Sequence, residues 1–228
     1  MARATRNAIG GYVYHCLNRA NAQIKIFKTD KDYRLFEDIL KEGVEKFNMQ
    51  LLAYCIMPNH WHLVLYPQHD GDLSLFMGWI TNTHTKRWHT LHNTIGTGHL
   101  YQGRYKSFLV QNDNHFLTLV RYVERNARKA NLVQKAEEWR WGSAYLRKYG
   151  TEKQRKFLNI FFFFFIIHFA VIKLNRWHHN LSHASMTNKL PLFWRTNIDQ
   201  NDLRVFFHHC SGFFSINIKT LRGMFFGV

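Results

Sequence analysis

Two residue pairs carry the clearest chemical potential in this chain: His60 with His62, and Tyr122 with Asn126. His60 and His62 flank Trp61 in the run HWHLVLY, which begins directly after Pro58-Asn59. On a strand, residues i and i+2 face the same side, with roughly 7 Å between their Cα atoms. Both imidazoles can then converge on one divalent ion while Trp61 points the other way, into a core. A pair of surface or interface histidines is the alternative, and fifteen histidines in the chain make chance pairs common. Tyr122 and Asn126 stand at i and i+4, which puts them on one face of a helix. A phenol becomes a nucleophile when a metal or a base assists the loss of its proton. The carboxamide oxygen of Asn126 can ligate a hard ion one turn away. The alternative is a half-buried helix tyrosine followed by an asparagine that caps the helix C-terminus.

These residues need elements to hold them. Residues 12–18 (YVYHCLN) read as a first strand of mixed character, followed by a turn at 18–21. Residues 30–47 have helical spacing, with Tyr33, Leu35, Phe36, Ile39, Leu40 and Phe47 as the apolar stripe and Thr29 or Asp30 as the cap. Residues 50–57 and 60–66 read as two strands joined by the Pro58-Asn59 turn, an antiparallel hairpin. Residues 73–88 return to helical periodicity through Leu73, Phe76, Met77 and Ile80, and a glycine-rich stretch at 96–98 follows. Residues 104–110 read as a fourth strand. Asn112, Asp113 and Asn114 supply a cap for a helix over 115–128, packed through Phe116, Leu119, Val120 and Val123. The order β-α-β-β-α-β-α predicts an α+β fold. Its first six elements match a split βαβ domain with an antiparallel sheet and helices on one face.

The formal net charge of +16 and the pI near 10.0 suit a polyanionic partner, with nucleic acid ahead of an anionic membrane surface. Cys16, Cys55 and Cys210 are too few and too scattered for a disulfide framework, and their lack of CxxC spacing excludes a four-thiolate zinc site. Cys16 and Cys55 lie in strand-like runs and read as buried apolar groups in a reducing compartment. The basic start of the chain lacks a following apolar segment of the secretory type. These features predict a cytoplasmic location. After about Gly150 the composition shifts, and residues 160–172 (IFFFFFIIHFAVI) form an apolar run shorter than the ~18 residues of a clear membrane span. It reads as a buried strand, a helix or an aggregation-prone segment. The expected organisation is a domain over residues 1–150 and an atypical extension over residues 151–228.

Four segments in order, MPNHWHLVLY, GHLYQGRYKSFLVQ, RYVERNARKANLV and EEWRWGSAYLRKYG, resemble the REP-associated tyrosine transposases. They are similar, more distantly, to the single-strand transposases of the smallest insertion sequences, both within the HUH nucleases that use a single tyrosine. The resemblance covers about residues 1–150. It implies a ferredoxin-like fold, His60 and His62 as the histidine pair, Tyr122 as nucleophile and Asn126 as the third metal ligand. The family usually carries Pro-Val-Arg-Ala after that asparagine. Here Ala127-Arg128-Lys129-Ala130 stands instead, which favours a longer helix. Family members also usually end in a short basic, proline-containing tail. The polyphenylalanine run is what a frameshift or readthrough at a homopolymeric T tract would produce.

The resemblance implies a metal-dependent endonuclease and strand transferase that acts on single-stranded or hairpin DNA through a 5′-phosphotyrosine. Mg²⁺ or Mn²⁺ is the implied cofactor, and two nitrogens with an amide oxygen favour Mn²⁺ on softness. Candidate phosphate contacts are Arg19, Lys86, Arg87, Arg104, Lys106, Arg121, Arg125 and Arg128, with Trp88 and Tyr101 as platforms for unpaired bases. No membrane partner is expected, and the assembly is a monomer or homodimer. Three other readings compete. They are a catalytically silent basic nucleic-acid-binding module, an RNA-processing enzyme on the same kind of sheet, and a hydrolytic zinc enzyme. The last lacks a third histidine or carboxylate at ligand spacing near His60.

Overall fold

The structure is a computed structural model that describes residues 8–110 and 113–158. The apolar run at 160–172, Cys210 and the first seven residues lie outside the described residues. So do the side chains of the expected cap at 112–114.

Four strands form one antiparallel sheet: β1 (Tyr14–Arg19), β2 (Gln50–Met57), β3 (His60–Tyr66) and β4 (Lys106–Leu109). Their order across the sheet is β2-β3-β1-β4. With α1 (Asp30–Phe47) after β1 and α2 (Asp72–Leu91) after β3, this is the ferredoxin-like split βαβ arrangement. Side chains alternate between the two faces of the sheet, except where β2 shifts register between Leu51 and Ala53. Trp61, Leu63 and Leu65 of β3, with Tyr14 and Cys16 of β1, face α1 and α2 and pack with Phe36, Ile39, Phe76 and Ile80. Leu52, Ala53 and Cys55 of β2, with Val64 of β3, face the opposite way and pack under Phe116, Val120, Val123 and Ala127.

That second cluster belongs to α3 (Asp113–Glu124) and α4 (Asn126–Lys129), which lie on the other face of the sheet. The helix expected over 115–128 is therefore two pieces. Arg125, with φ −87° and ψ 3°, interrupts it. The α3 layer covers chiefly the β2 side. On the β1 and β4 side of the same face, His15, Arg19, Lys106 and Phe108 stand in register beside the β3 histidines.

Local chemistry explains the element ends. Thr29 caps α1, and the Asp32 carboxylate accepts from the Thr29 N–H at 2.8 Å and the Thr29 hydroxyl at 3.1 Å. Asn48 closes α1 in the left-handed region at φ 46°, where asparagine is tolerated. The β2–β3 turn is pinned from outside. The Ile26 and Phe27 amides donate to Pro58 O at 2.9 and 3.0 Å, and the Ala20 amide donates to Asn59 O at 2.8 Å. The chain therefore enters β3 with His60 already oriented.

The outer edge of β2 is covered. Ile56 N donates to Trp141 O at 2.9 Å, the Trp139 indole donates to Ile56 O, and Leu158 bridges Leu51. Covering an edge satisfies backbone groups that would otherwise pair with another chain. Two short helices, α5 (Ser143–Tyr149) and α6 (Glu152–Arg155), carry this strap, and Leu158 ends in the core. Among the described residues, no helix is long and apolar enough to cross a membrane. Cys16 and Cys55 are buried free thiols, as their apolar runs predict.

Candidate active site

The face of the sheet under α3 brings His60, His62 and Tyr122 together. His60 and His62 lie on the same side of β3, with ring centroids 5.1 Å apart. Trp61 points into the opposite core, where its indole N–H donates to the Tyr101 hydroxyl at 2.9 Å. Tyr122, from α3, meets His62 edge-on at 5.9 Å between centroids and is 41% exposed. Its ring thus closes the site while its surface stays open to a ligand.

One residue that the sequence reading did not single out completes the group. His15 of β1 lies diagonal to His62, because Leu17 is the direct partner of His62. Its ring lies nearly parallel to that of His62, with centroids 5.1 Å apart and planes at 17°, and its Nε2 is 2.9 Å from His62 Nδ1. It also meets Tyr122 edge-on at 6.2 Å. The signal in the sequence was the alternation in YHCLNR: Tyr14 and Cys16 face the core, so His15 faces the other way with Leu17 and Arg19. Lys129 is a second addition, with Nζ 5.1 Å from the Tyr122 ring centre.

The electrostatics keep these imidazoles neutral. Burial pushes His62 down to about 3, with the nearby His15 and His60 adding to the shift. Burial alone takes His15 down to about 4, and burial with the Arg19 charge lowers His60. A neutral ring is the form that offers a lone pair to a metal. His60 Nδ1 lies 2.6 Å from Asn59 Oδ1. The Asn59 amide nitrogen donates to Gln23 O, so its oxygen is the atom that faces His60. That contact puts the proton on His60 Nδ1 and leaves its Nε2 bare.

Asn126 begins α4. Its side-chain nitrogen donates to Tyr122 O at 3.1 Å and Val123 O at 3.3 Å, so the carboxamide oxygen is the atom it could offer a metal. Two neutral imidazoles and one amide oxygen are a donor set that fits a divalent ion with open positions. Among the described residues, no group of three or more His, Cys, Asp or Glu side chains could hold a metal ion.

The helix that carries Tyr122 is anchored at its end. Glu124 forms an ion pair with Arg147 of α5 and accepts from the Ser143 hydroxyl at 2.7 Å. Ser143 in turn accepts from the Tyr54 amide at 3.1 Å, and Arg147 donates to Leu52 O. The segment EEWRWGSAYLRKYG thus ties α3 to β2.

The candidate DNA contacts divide between two surfaces. Arg19 pairs with His60, and Lys106 pairs with Leu17, so both extend from the histidine face. Arg104 lies in the turn held to β1 by Gln102 N to Arg19 O and by Asn18 to Gly103 O. Arg121, Arg125 and Arg128 are exposed on α3, its interruption and α4. Lys86 and Arg87 sit on α2, on the opposite side of the sheet, and Arg87 makes a two-pronged pair with Glu42 at 2.7 and 2.8 Å. Trp88 and Tyr101 are not stacking platforms. Both are 7% exposed, and the Trp88 indole donates to Ile26 O. The Tyr101 hydroxyl is held between Trp61 and His84. An exposed aromatic does stand on the histidine face: Phe108, 54% exposed and 6.2 Å from the His15 ring.

No curated protein matches the chain. Among solved structures, it is similar to a REP-associated tyrosine transposase bound to a REP hairpin, at 18% identity and a TM-score of 0.52. The match covers 63% of this chain and 82% of that one, and it shows a shared fold. It is also similar to a candidate transposase from Deinococcus radiodurans R1, at 20% identity over 54% of this chain and 97% of that one, with a TM-score of 0.38. The tRNA(His) guanylyltransferase of Saccharomyces cerevisiae follows at 10% identity over 56% of this chain and 64% of that one, with a TM-score of 0.43. Residues 9–126 match the family described as "Transposase IS200 like", a span that opens before β1 and ends on Asn126. The chain belongs to the IS200-like transposase family.

Proposed function

We propose that this chain is a divalent-metal-dependent endonuclease and strand transferase for single-stranded DNA, with hairpin DNA as its substrate and Tyr122 as its nucleophile. The observation that carries this reading is the meeting of Tyr122 with His62 across two elements far apart in the chain. Family membership supports DNA transposition chemistry, and the relative bound to a REP hairpin supports a hairpin substrate. The catalytic unit is assigned to residues 1–150, with the strap that ends at Leu158 packed on it.

His60 Nε2, His62 and the Asn126 oxygen would hold the ion. Mg²⁺ or Mn²⁺ bound there would supply Lewis acidity to the scissile phosphate and to the phenol. The rest falls to the chain. Arg19, Arg104 and Lys106 draw the phosphate backbone onto the histidine face, and Arg121, Arg125 and Arg128 guide it along the α3 side. Tyr122 Oη attacks the phosphorus in line. An Oη–P bond forms and the P–O3′ bond breaks, while the phenol loses a proton and the departing 3′ oxygen gains one. The 5′-phosphotyrosine conserves the phosphodiester energy. A second 3′-hydroxyl can therefore attack it, release Tyr122 and join two strands without a nucleotide cofactor.

The direct test is incubation of the full chain with 5′- and 3′-labelled single-stranded hairpin DNA and Mn²⁺. The 3′-labelled product should become covalently attached to protein. Release of both labelled products as free DNA would contradict the tyrosine mechanism.

A further inference from the structure

We infer that His15 is a positioning residue that accepts a hydrogen bond from His62 Nδ1–H and so fixes the His62 ring with its Nε2 lone pair turned toward the metal position. The inference rests on the reading of His60 and His62 as metal ligands.

The geometry behind it is a shared pattern. A neutral imidazole carries one N–H and one lone pair, so a metal-binding ring must place its proton on the nitrogen away from the ion. His60 does this through Asn59, at 2.6 Å from Nδ1. His62 has its Nδ1 engaged in the same way, 2.9 Å from His15 Nε2. Outer partners of this kind set ring orientation and raise ligand basicity.

His15 itself is poorly placed to be a ligand. Its Nε2 faces His62 Nδ1 at hydrogen-bond distance, and the near-parallel planes, 17° apart with centroids at 5.1 Å, set the two rings edge to edge. A histidine partner also differs from a carboxylate, because it adds no negative charge beside the site. The scissile phosphate is an anion, so a neutral acceptor orients His62 without repelling the substrate.

The test uses the full chain, with Mn²⁺ binding followed by electron paramagnetic resonance in the absence of DNA. His15→Phe keeps a ring and removes the acceptor. His15→Gln places a carboxamide oxygen at a similar reach. His15→Phe should weaken Mn²⁺ binding about 10- to 100-fold, His15→Gln should restore it to near the parent value, and both should keep the parent melting temperature. Parent-like Mn²⁺ binding by His15→Phe would overturn the inference, as would a His15→Gln variant as weak as His15→Phe. The His60→Ala/His62→Ala double variant separates the two levels. If it loses Mn²⁺ while His15→Phe does not, only the role of His15 fails. If the double variant binds Mn²⁺ like the parent, the metal site fails and the inference with it. Nitrogen-15 spectra of the metal-free parent give a readout independent of any variant's folding. His62 should carry its proton on Nδ1, and a proton on Nε2 would overturn the assignment.

Discussion

The Tyr122 ring stands edge-on to the His62 ring, at 5.9 Å between centroids and 83° between planes. The two residues are sixty positions apart in sequence, and neither element alone would make a site. Their meeting depends on α3 crossing the face of the sheet opposite α1 and α2, with Val120 and Val123 seated on Ala53, Cys55 and Val64.

Replacing His60 and His62 separates chemistry from binding. His60→Ala and His62→Ala should each abolish cleavage in Mg²⁺ or Mn²⁺. Hairpin affinity should stay within a few-fold of the parent, because phosphate contacts come from other side chains. Gel-shift titration in chelator, beside a cleavage assay, measures both. Cleavage at the parent rate by the double variant would remove the metal assignment.

The two basic surfaces should behave differently. Arg19→Ala and Lys106→Ala should each weaken single-strand binding and lower the slope of log affinity against log salt by about 0.7. Lys86→Ala and Arg87→Ala should leave both quantities unchanged, since those residues lie on α2 behind the sheet. Phe108→Ala should cost about 1–3 kcal/mol if a base stacks there. Equal losses from Lys86→Ala and Arg19→Ala would place the DNA elsewhere.

Much of this arrangement was legible in the chain. The bounds of β2, β3 and α1 match their periodic runs, because a Pro-Asn turn, a Thr29 cap and a left-handed Asn48 delimit them. The first strand starts two residues later and ends one later than its motif suggests, and β4 is shorter, because only Lys106–Leu109 pairs with β1. For His15 the alternation in YHCLNR gives the face it occupies but not its neighbour. Its proximity to His62 follows from the register of β1 on β3, a long-range fact that no local pattern carries. Trp88 and Tyr101 misled for a related reason. Their basic neighbours suggest a surface, yet each side chain turns inward to satisfy its polar atom on Ile26 or on Trp61 and His84.

The anchor of α3 gives a stability prediction. Arg147→Ala leaves Glu124 without its ion-pair partner and removes the donor to Leu52 O. Breaking a largely buried pair costs about 3–5 kcal/mol, so the urea midpoint should fall clearly, and Tyr122 should lose its defined position. Glu124→Gln/Arg147→Met, which removes both charges together, should cost less. An Arg147→Ala midpoint equal to the parent would show that the ion pair does not hold α3.

Acid stability follows from the buried imidazoles. His62 and His84 are held down to about 3, and His15 to about 4, in each case first by burial. In the unfolded chain these rings take up protons near pH 6.5. The unfolded state therefore binds more protons below that value, and stability falls as pH drops from about 6.5 toward 4. Each such ring contributes a slope approaching about 1.4 kcal/mol per pH unit. Urea unfolding at pH 7, 6 and 5 without divalent metal should show this decline, and a flat profile would contradict it.

The most direct measurement is on Tyr122 itself. The chain has ten tyrosines, so the attached residue must be identified, not assumed. The parent chain, incubated with labelled hairpin DNA and Mn²⁺, should yield an adduct whose DNA-linked peptide contains Tyr122. Tyr122→Phe removes one oxygen from a ring that is already partly exposed, so folding and hairpin binding should persist. Adduct formation, cleavage and strand joining should vanish together, because all three pass through one phosphotyrosine. An adduct that persists in Tyr122→Phe, with its peptide mapped to another tyrosine, would contradict the account.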